Sequence, residues 1–315
     1  MKKPIVVLTG PTAVGKTELS IQLAKVIGGE IISADSMQVY KHMDVGSAKI
    51  TPEEMDGVRH YLVDELEPFD EFHVVKFQEY AQKYLNEIYA HEKIPIIAGG
   101  TGFYIQALLN DIDFTEQESD SAYRKELEAL AEEHGNQYLH DRLKEVDPES
   151  AEVIHPNNRK RVIRALEFFQ ETGGKISEHN AKEQMRTSPY NFAYFVLNDE
   201  RSHLYKRIDA RVDKMIEDGL EAEVRRLKEM GCTKDMVAMQ GIGYKEMLSY
   251  LDGGYSLKEA VYIIKRETRH FAKRQITWFK RERDVIWLNK NEFDYKNEAI
   301  LAYMIKILKE KAIIS

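Results

Sequence analysis

Ile5 to Leu8 form an unbroken apolar run that stops at Thr9-Gly10-Pro11-Thr12, and from Glu18 the apolar positions thin to Leu19, Leu23, Ala24 and Ile27 before Gly28-Gly29. The short continuous run predicts a buried strand, the three-to-four spacing an amphipathic helix, and the glycine pair its end. The pattern recurs. Glu30-Ile31-Ile32-Ser33-Ala34-Asp35 reads as a second strand ending in an acid, Val74 to His91 as a helix, and Ile94-Pro95-Ile96-Ile97-Ala98-Gly99-Gly100 as a third strand ending in glycines. Apolar strands alternating with helices predict an α/β fold with a doubly wound parallel sheet, which binds ligands at the carboxyl ends of its strands.

After Asn110 the texture changes. Glu116 to Leu143 is charged and helical in period, Asn158 to Gln170 is a second amphipathic helix, and a strand pattern returns only at Phe192 to Leu197. Residues 115–190 are therefore expected to form an all-helical insertion in a core made of 1–114 and 191–315. Arg201 to Met230, Tyr244 to Leu251, Ser256 to Arg283 and Glu298 to Lys311 read as helix, with Val285 to Leu288 as a late strand.

At 315 residues and 43% apolar, the chain is long enough to bury a core that excludes disorder and collagen-like classes. One cysteine, Cys232, excludes an internal disulfide and a cysteine-rich zinc cluster, and no apolar run reaches the length of a membrane span. A cytoplasmic protein is expected. The net charge of −8 argues on average against a nucleic-acid partner, but its distribution reverses the argument. Ile112 to Val153 carries thirteen Asp/Glu against four Lys/Arg, while Lys265 to Arg283 carries eight Lys/Arg against two Glu.

Gly10-Pro11-Thr12-Ala13-Val14-Gly15-Lys16-Thr17 has the form G-x-x-x-x-G-K-[ST] between a strand and a helix, which is the setting of a phosphate-binding P-loop. Its glycines let successive N–H groups converge on phosphate oxygens at a helix N-terminus, Lys16 adds a cation, and the Thr17 hydroxyl can ligate Mg²⁺. The loop alone does not choose among polyphosphates, ATP included. No Asn-Lys-x-Asp guanine selector is present, and Asp35 is the only acid that ends an apolar strand as a motor ATPase requires. Small group-transfer enzymes remain.

Asp35 opens Asp35-Ser36-Met37-Gln38-Val39-Tyr40 at a strand's carboxyl end and should face the crevice of Lys16. It can act as a general base, hold Mg²⁺ through water, or cap the following turn. In Gly99-Gly100-Thr101-Gly102-Phe103-Tyr104 the glycines admit a substrate close to backbone, where Thr101 offers a hydroxyl.

GPTAVGKT at 10–17, DSMQVY at 35–40, GGTGFY at 99–104, RALE at 164–167, QGIGYKE at 240–246 and TRHFAKRQITWF at 268–279 occur in this order. With them the chain resembles the bacterial tRNA dimethylallyltransferase (tRNA isopentenyltransferase) family over nearly its whole length. The resemblance implies a P-loop kinase-like core with a helical insertion. It also implies transfer of a dimethylallyl group from dimethylallyl diphosphate to N6 of adenosine 37, beside the anticodon of tRNAs reading codons that begin with U. Carried over by motif, residues 12–17 hold the diphosphate, Asp35 is the catalytic base, and Thr101 assists at the reaction centre. Asp35, Ser36, Met37 and Gln38 face the target base and its neighbour, and Arg159, Lys160, Arg161, Val162 and Ile163 contact RNA. Arg124 is carried over only on its Arg-x-x-Leu spacing to Leu127, since the proline that often opens this insertion is missing; an ordinary salt-bridged helix position competes. The zinc finger of eukaryotic relatives has no counterpart among the Cys and His residues here.

The residues suit that chemistry. Loss of diphosphate needs charge stabilisation, which a P-loop, Lys16 and Mg²⁺ supply, and no D-D-x-x-D motif of free-standing isoprenoid synthases appears. Arg211 is a candidate further diphosphate ligand, with helix ion pairing as the alternative. Arg266, Arg269, Lys273, Arg274, Lys280 and Arg281, interleaved with Phe271, Ile276, Trp278 and Phe279, form either an RNA-binding stripe or a solvated helix face. The anticodon loop of tRNA is the expected partner, the protein is expected to be a monomer without membrane contact, and a small-molecule or nucleotide kinase on the same core is the competing function.

Overall fold

The computed structural model describes residues 2–112, 114 and 122–314. It begins with β1 (Lys3–Thr9), α1 (Lys16–Ile27), β2 (Gly29–Ala34), α2 (Pro52–Met55), β3 (His60–Tyr61), α3 (Val74–Ala90), β4 (Ile94–Gly99) and α4 (Gly102–Leu109). Five helices follow, α5 (Ala122–His134), α6 (Asn136–Val146), α7 (Pro148–Val153), α8 (Arg159–Thr172) and α9 (Ile176–Met185). The chain then continues through β5 (Tyr190–Asn198), α10 (Arg201–Glu217), α11 (Leu220–Glu229), α12 (Tyr244–Leu251), α13 (Leu257–Phe279), β6 (Val285–Asn289) and α14 (Asn297–Glu310). It divides into two compact units, Met1–Leu109 with Pro189–Ser315, and Asn110–Ser188. The sequence placed the insertion at 115–190; residues 115–121 at its expected start lie outside the described residues.

In the first unit six parallel strands pair in the order β3-β2-β4-β1-β5-β6. β1 is buried through its last five residues, and alternation sends Ile5 and Val7 into one apolar layer and Val6 and Leu8 into the other. The first layer packs Phe77 of α3 and Ile105 of α4 under the sheet, the second Leu19 and Leu23 of α1 with Ile208 of α10 and Met304 of α14. Covering both faces is why these strands read as continuous apolar runs rather than alternating ones.

Register aligns the strand ends. Gly99 pairs with Thr9 on one side and Ala34 on the other, so the loops that leave β1, β2 and β4 start side by side at one edge of the sheet. β3 escaped the sequence reading because two residues carry no periodicity. Two expected single helices are each broken by a glycine with positive φ, Gly135 (86°) between α5 and α6 and Gly219 (99°) between α10 and α11.

The second unit has its own core, in which Leu127, Leu139, Leu143, Val162 and Leu166 are buried together. Asp147 is fully buried at the start of α7, where its carboxylate accepts from the N–H and hydroxyl of both Ser150 and Ser177 at 2.7–3.1 Å. No helix among the described residues is long and apolar enough to cross a membrane.

Candidate active site

The P-loop leaves β1 at Gly10, whose φ of 146° and whose place against the Leu197 carbonyl, 2.2 Å from where a Cβ would stand, admit only glycine. Ala13 (φ 62°) and Gly15 (φ 102°) turn the chain so that α1 begins at Lys16. Lys16 folds back over the loop, donating to the carbonyls of Gly10 at 3.0 Å and Pro11 at 2.8 Å. Burial pulls its ammonium down to about 8; Asp35 offsets part of that shift and Arg211 adds to it.

A cavity of about 940 Å³ within the first unit is lined by Thr12, Ala13, Gly15, Lys16 and Thr17, by Asp35, Ser36, Met37 and Gln38, by Gly99 to Thr101, and by Arg211. It thus gathers most of the site residues expected in this unit. Gly10, Pro11 and Val14 are buried behind the loop rather than on its open side: the first two present carbonyls to Lys16, and the Val14 side chain belongs to the apolar layer beneath. Any contact of these three with a diphosphate would have to be made by backbone.

Asp35 follows β2 directly. Its Oδ1 accepts from the N–H of Met37 at 2.9 Å and of Gln38 at 3.4 Å, while Val39 and Tyr40 are fully buried and anchor the far end of the motif. Asp35 through Gln38 therefore stay half-buried on the cavity wall. Thr101 precedes α4; its N–H donates to the Ala34 carbonyl at 3.1 Å, so β2 and the β4 loop are tied at the cavity. Gly99 permits this, since a Cβ there would stand 2.3 Å from the Ala34 backbone.

Three residues that the sequence did not single out complete the loop's surroundings. Gln275 of α13 accepts from the Thr12 N–H and donates to the Gly100 carbonyl, each at 2.9 Å. Arg207 Nε donates to the Ala13 carbonyl at 2.7 Å, and Lys290 Nζ lies 3.4 Å from the Val14 carbonyl. Gln275 lies inside the recognised TRHFAKRQITWF block, but only the fold shows that it faces the P-loop. Arg211 Nη1 donates to the Thr12 hydroxyl at 3.3 Å; burial works against its charge and Asp35 supports it. Helix ion pairing does not account for Arg211 here. Among the described residues no three His, Cys, Asp or Glu side chains cluster in a metal-binding arrangement. This donor set fits Mg²⁺ only in its phosphate-bound mode, with the Thr17 hydroxyl as a protein ligand and the remainder from phosphate and water.

In the second unit, α8 begins with Arg159, Lys160 and Arg161 at partly or fully exposed positions, with no acid in its first turn. Val162 and Ile163, expected among the RNA contacts, are 0% and 3% exposed and form part of the helical core. Their side chains cannot reach an external ligand, because the 3.6-residue period that exposes Lys160 and Arg161 turns them inward. Arg124 grips buried Glu167 with Nε at 2.9 Å and Nη2 at 2.5 Å, the geometry of the salt-bridge alternative. On α13, Lys265 and Arg269 pair with Asp213 and Asp209 of α10, whereas Lys273, Arg274, Lys280 and Arg281 are exposed.

Residues 38–282 match the family model described as IPP transferase. A tRNA dimethylallyltransferase of Lachnoclostridium phytofermentans is 64% identical over 313 residues, 99% of each chain. The full-length tRNA isopentenylpyrophosphate transferase of Bacillus halodurans superposes with a TM-score of 0.74 at 44% identity, over 99% of this chain and 98% of its own. A eukaryotic dimethylallyltransferase solved acting on tRNA gives 0.79 at 31% identity, over 91% of this chain and 74% of its own. With a P-loop, an acid-ended second strand and a helical unit all accounted for, the chain belongs to the IPP transferase family, that of the tRNA isopentenyltransferases.

Proposed function

We propose that this enzyme transfers the dimethylallyl group of dimethylallyl diphosphate to N6 of adenosine 37 in tRNAs reading codons that begin with U. The observation that carries the reading is one cavity lined both by Lys16 and Thr17 and by Asp35 and Thr101. In the reaction, the C1–O bond of the allylic diphosphate breaks with its electron pair leaving on pyrophosphate. The N6 lone pair forms the new N–C bond, and one N6 proton passes to Asp35.

Lys16, Arg211 and the loop's amides bind the diphosphate and stabilise charge as it develops on the leaving group. Mg²⁺, when bound through Thr17, supplies further neutralisation of that charge. Asp35 is held in place by the Met37 and Gln38 amides, so its second carboxylate oxygen serves as proton acceptor without a search through rotamers. Extrusion of the adenine costs a few kcal/mol, and least in the single-stranded loop of the anticodon. Arg159, Lys160 and Arg161 offset that cost through RNA phosphates, aided by the positive end of the α8 dipole.

Incubation with Mg²⁺, dimethylallyl diphosphate and unmodified tRNA, followed by mass spectrometry of the nucleosides, tests the reading. N6-isopentenyladenosine at position 37 is expected. ATP turnover without modified tRNA would favour a kinase on this core instead.

A further inference from the structure

Glu223 of α11 is 1% exposed and is not among the residues that line the cavity, yet its carboxylate gathers four donors. Oε2 accepts from the N–H of Asp44 and of Val45, each at 2.8 Å. Oε1 accepts from the Gly46 N–H at 3.0 Å and from the Tyr244 hydroxyl at 2.9 Å. Three consecutive amides, 44 to 46, and one tyrosine hydroxyl thus point at a single glutamate. A carboxylate has about four acceptor sites, and all are filled. Three amides converging on an anion form a nest of the kind that binds phosphates elsewhere, but here the anion is part of the fold.

The loop so held lies against the expected acceptor side. Gly46 and Ser47 line the cavity beside Ser36, Met37 and Gln38, and Gln38 Nε2 donates to the Ala48 carbonyl at 3.2 Å. Packing repeats the connection. A Cβ at Gly46 would stand 2.5 Å from the Tyr244 ring, and one at Gly241, three residues before Tyr244, would stand 2.7 Å from the Met37 methyl. Residues 44–46 are thus held against Glu223 and Tyr244, and Gln38 and Met37 link this segment and Gly241 to the wall after Asp35.

We propose that Glu223 and Tyr244 are positioning residues for the acceptor nucleotide: they hold residues 36–48 in the shape that admits the target base, and they take no part in binding the diphosphate. The proposal rests on the reading of Ser36 to Gln38 as the base-facing wall. Glu223→Gln keeps the shape of the side chain but presents an NH₂ where an amide or hydroxyl donor now points. Its kcat/KM for tRNA is expected to fall at least tenfold, with KM for dimethylallyl diphosphate within twofold of the wild type. Tyr244→Phe removes the hydroxyl and leaves the ring against Gly46; a smaller loss of the same selectivity is expected, and this variant carries the test where Glu223→Gln does not fold.

Steady-state kinetics with each substrate varied in turn, together with melting curves, decide the matter. Unchanged tRNA parameters in a folded variant, or equal damage to both substrates' KM, would overturn the proposal, because a general loss of structure does not choose between substrates. Wild-type protein run alongside separates the two claims: without prenyl transfer by the wild type, the proposed function itself fails.

Discussion

The backbone N–H of Thr12 donates to Oε1 of Gln275 at 2.9 Å, although 263 residues separate them. The same amide donates from Nε2 to the Gly100 carbonyl, so one neutral side chain ties the P-loop to the loop that carries Thr101. There is no slack in the arrangement, since a Cβ at Gly100 would stand 2.3 Å from Gln275 Nε2. Gln275→Ala removes both bonds and frees the two loops to move apart. A fall in kcat/KM of about 10- to 100-fold is expected, on the scale that small misplacements of reacting groups produce. Gln275→Glu should be no better, because it retains the acceptor for Thr12 but sets a carboxylate oxygen against the Gly100 carbonyl. Transfer assays on both variants check this, and wild-type rates would show that the bridge is dispensable.

Lys16 is expected to give the proposed reaction an alkaline limit. Its ammonium, brought down to about 8 by burial, is charged in the free enzyme below that pH and neutral above it. In the proposed reaction, diphosphate binding draws on that charge. The kcat/KM for dimethylallyl diphosphate should therefore approach a plateau well below pH 8 and decline as pH rises through about 8, where an ordinary lysine would stay charged. Lys16→Arg, whose guanidinium does not titrate in this range, should move the limb upward or abolish it while lowering the plateau. A limb at the same pH in that variant would assign it to another group.

Asp35→Asn separates chemistry from recognition. Asparagine keeps an Oδ1 for the Met37 and Gln38 amides, so the turn and the cavity wall survive, but it cannot accept the N6 proton. Turnover should fall about 100- to 10,000-fold, the usual contribution of a general base, with the Kd for tRNA changed less than threefold. Single-turnover rates and filter binding read the two quantities separately. A matched loss of affinity and rate would make Asp35 a recognition residue.

Which parts of this were legible in the sequence follows from how local each signal is. β1, β2, β4, β5 and β6 show as apolar runs because both faces of the sheet are covered, and the P-loop shows because its backbone path needs glycine at fixed positions. β3 depends only on its register with Ile31 and Ile32 of β2, which no local pattern records. Gly135 and Gly219 are visible as glycines, yet whether a glycine interrupts a helix depends on where the next segment must pack. Gln275 and Glu223 lie in helices with ordinary polar spacing, and the backbone groups they hold lie 175 to 263 residues away. Val162 and Ile163, carried over by motif as RNA contacts, are buried, so any such contact would have to be made by backbone; motif transfer does not distinguish backbone from side chain.

Arg124 and the start of α8 should respond to mutation in opposite ways. Arg124 forms a two-pronged pair with Glu167, which is 2% exposed, so Arg124→Ala withdraws the guanidinium from a buried carboxylate. Breaking such a pair costs about 3 kcal/mol, and the partial exposure of the arginine places the loss at the lower end of the usual range. Melting of the helical unit should shift down by several degrees, and Arg124→Lys should recover little of it, because an ammonium cannot reproduce the fork. Arg159 and Arg161 bury no partner of this kind, and neutralising both should leave melting nearly unchanged. Their loss should appear in tRNA binding, where the slope of log Kd against log salt falls by about one for each phosphate contact removed. Melting curves and salt titrations on the two sets of variants test the division. A reduced salt slope in Arg124→Lys at intact stability would return Arg124 to the RNA-binding surface.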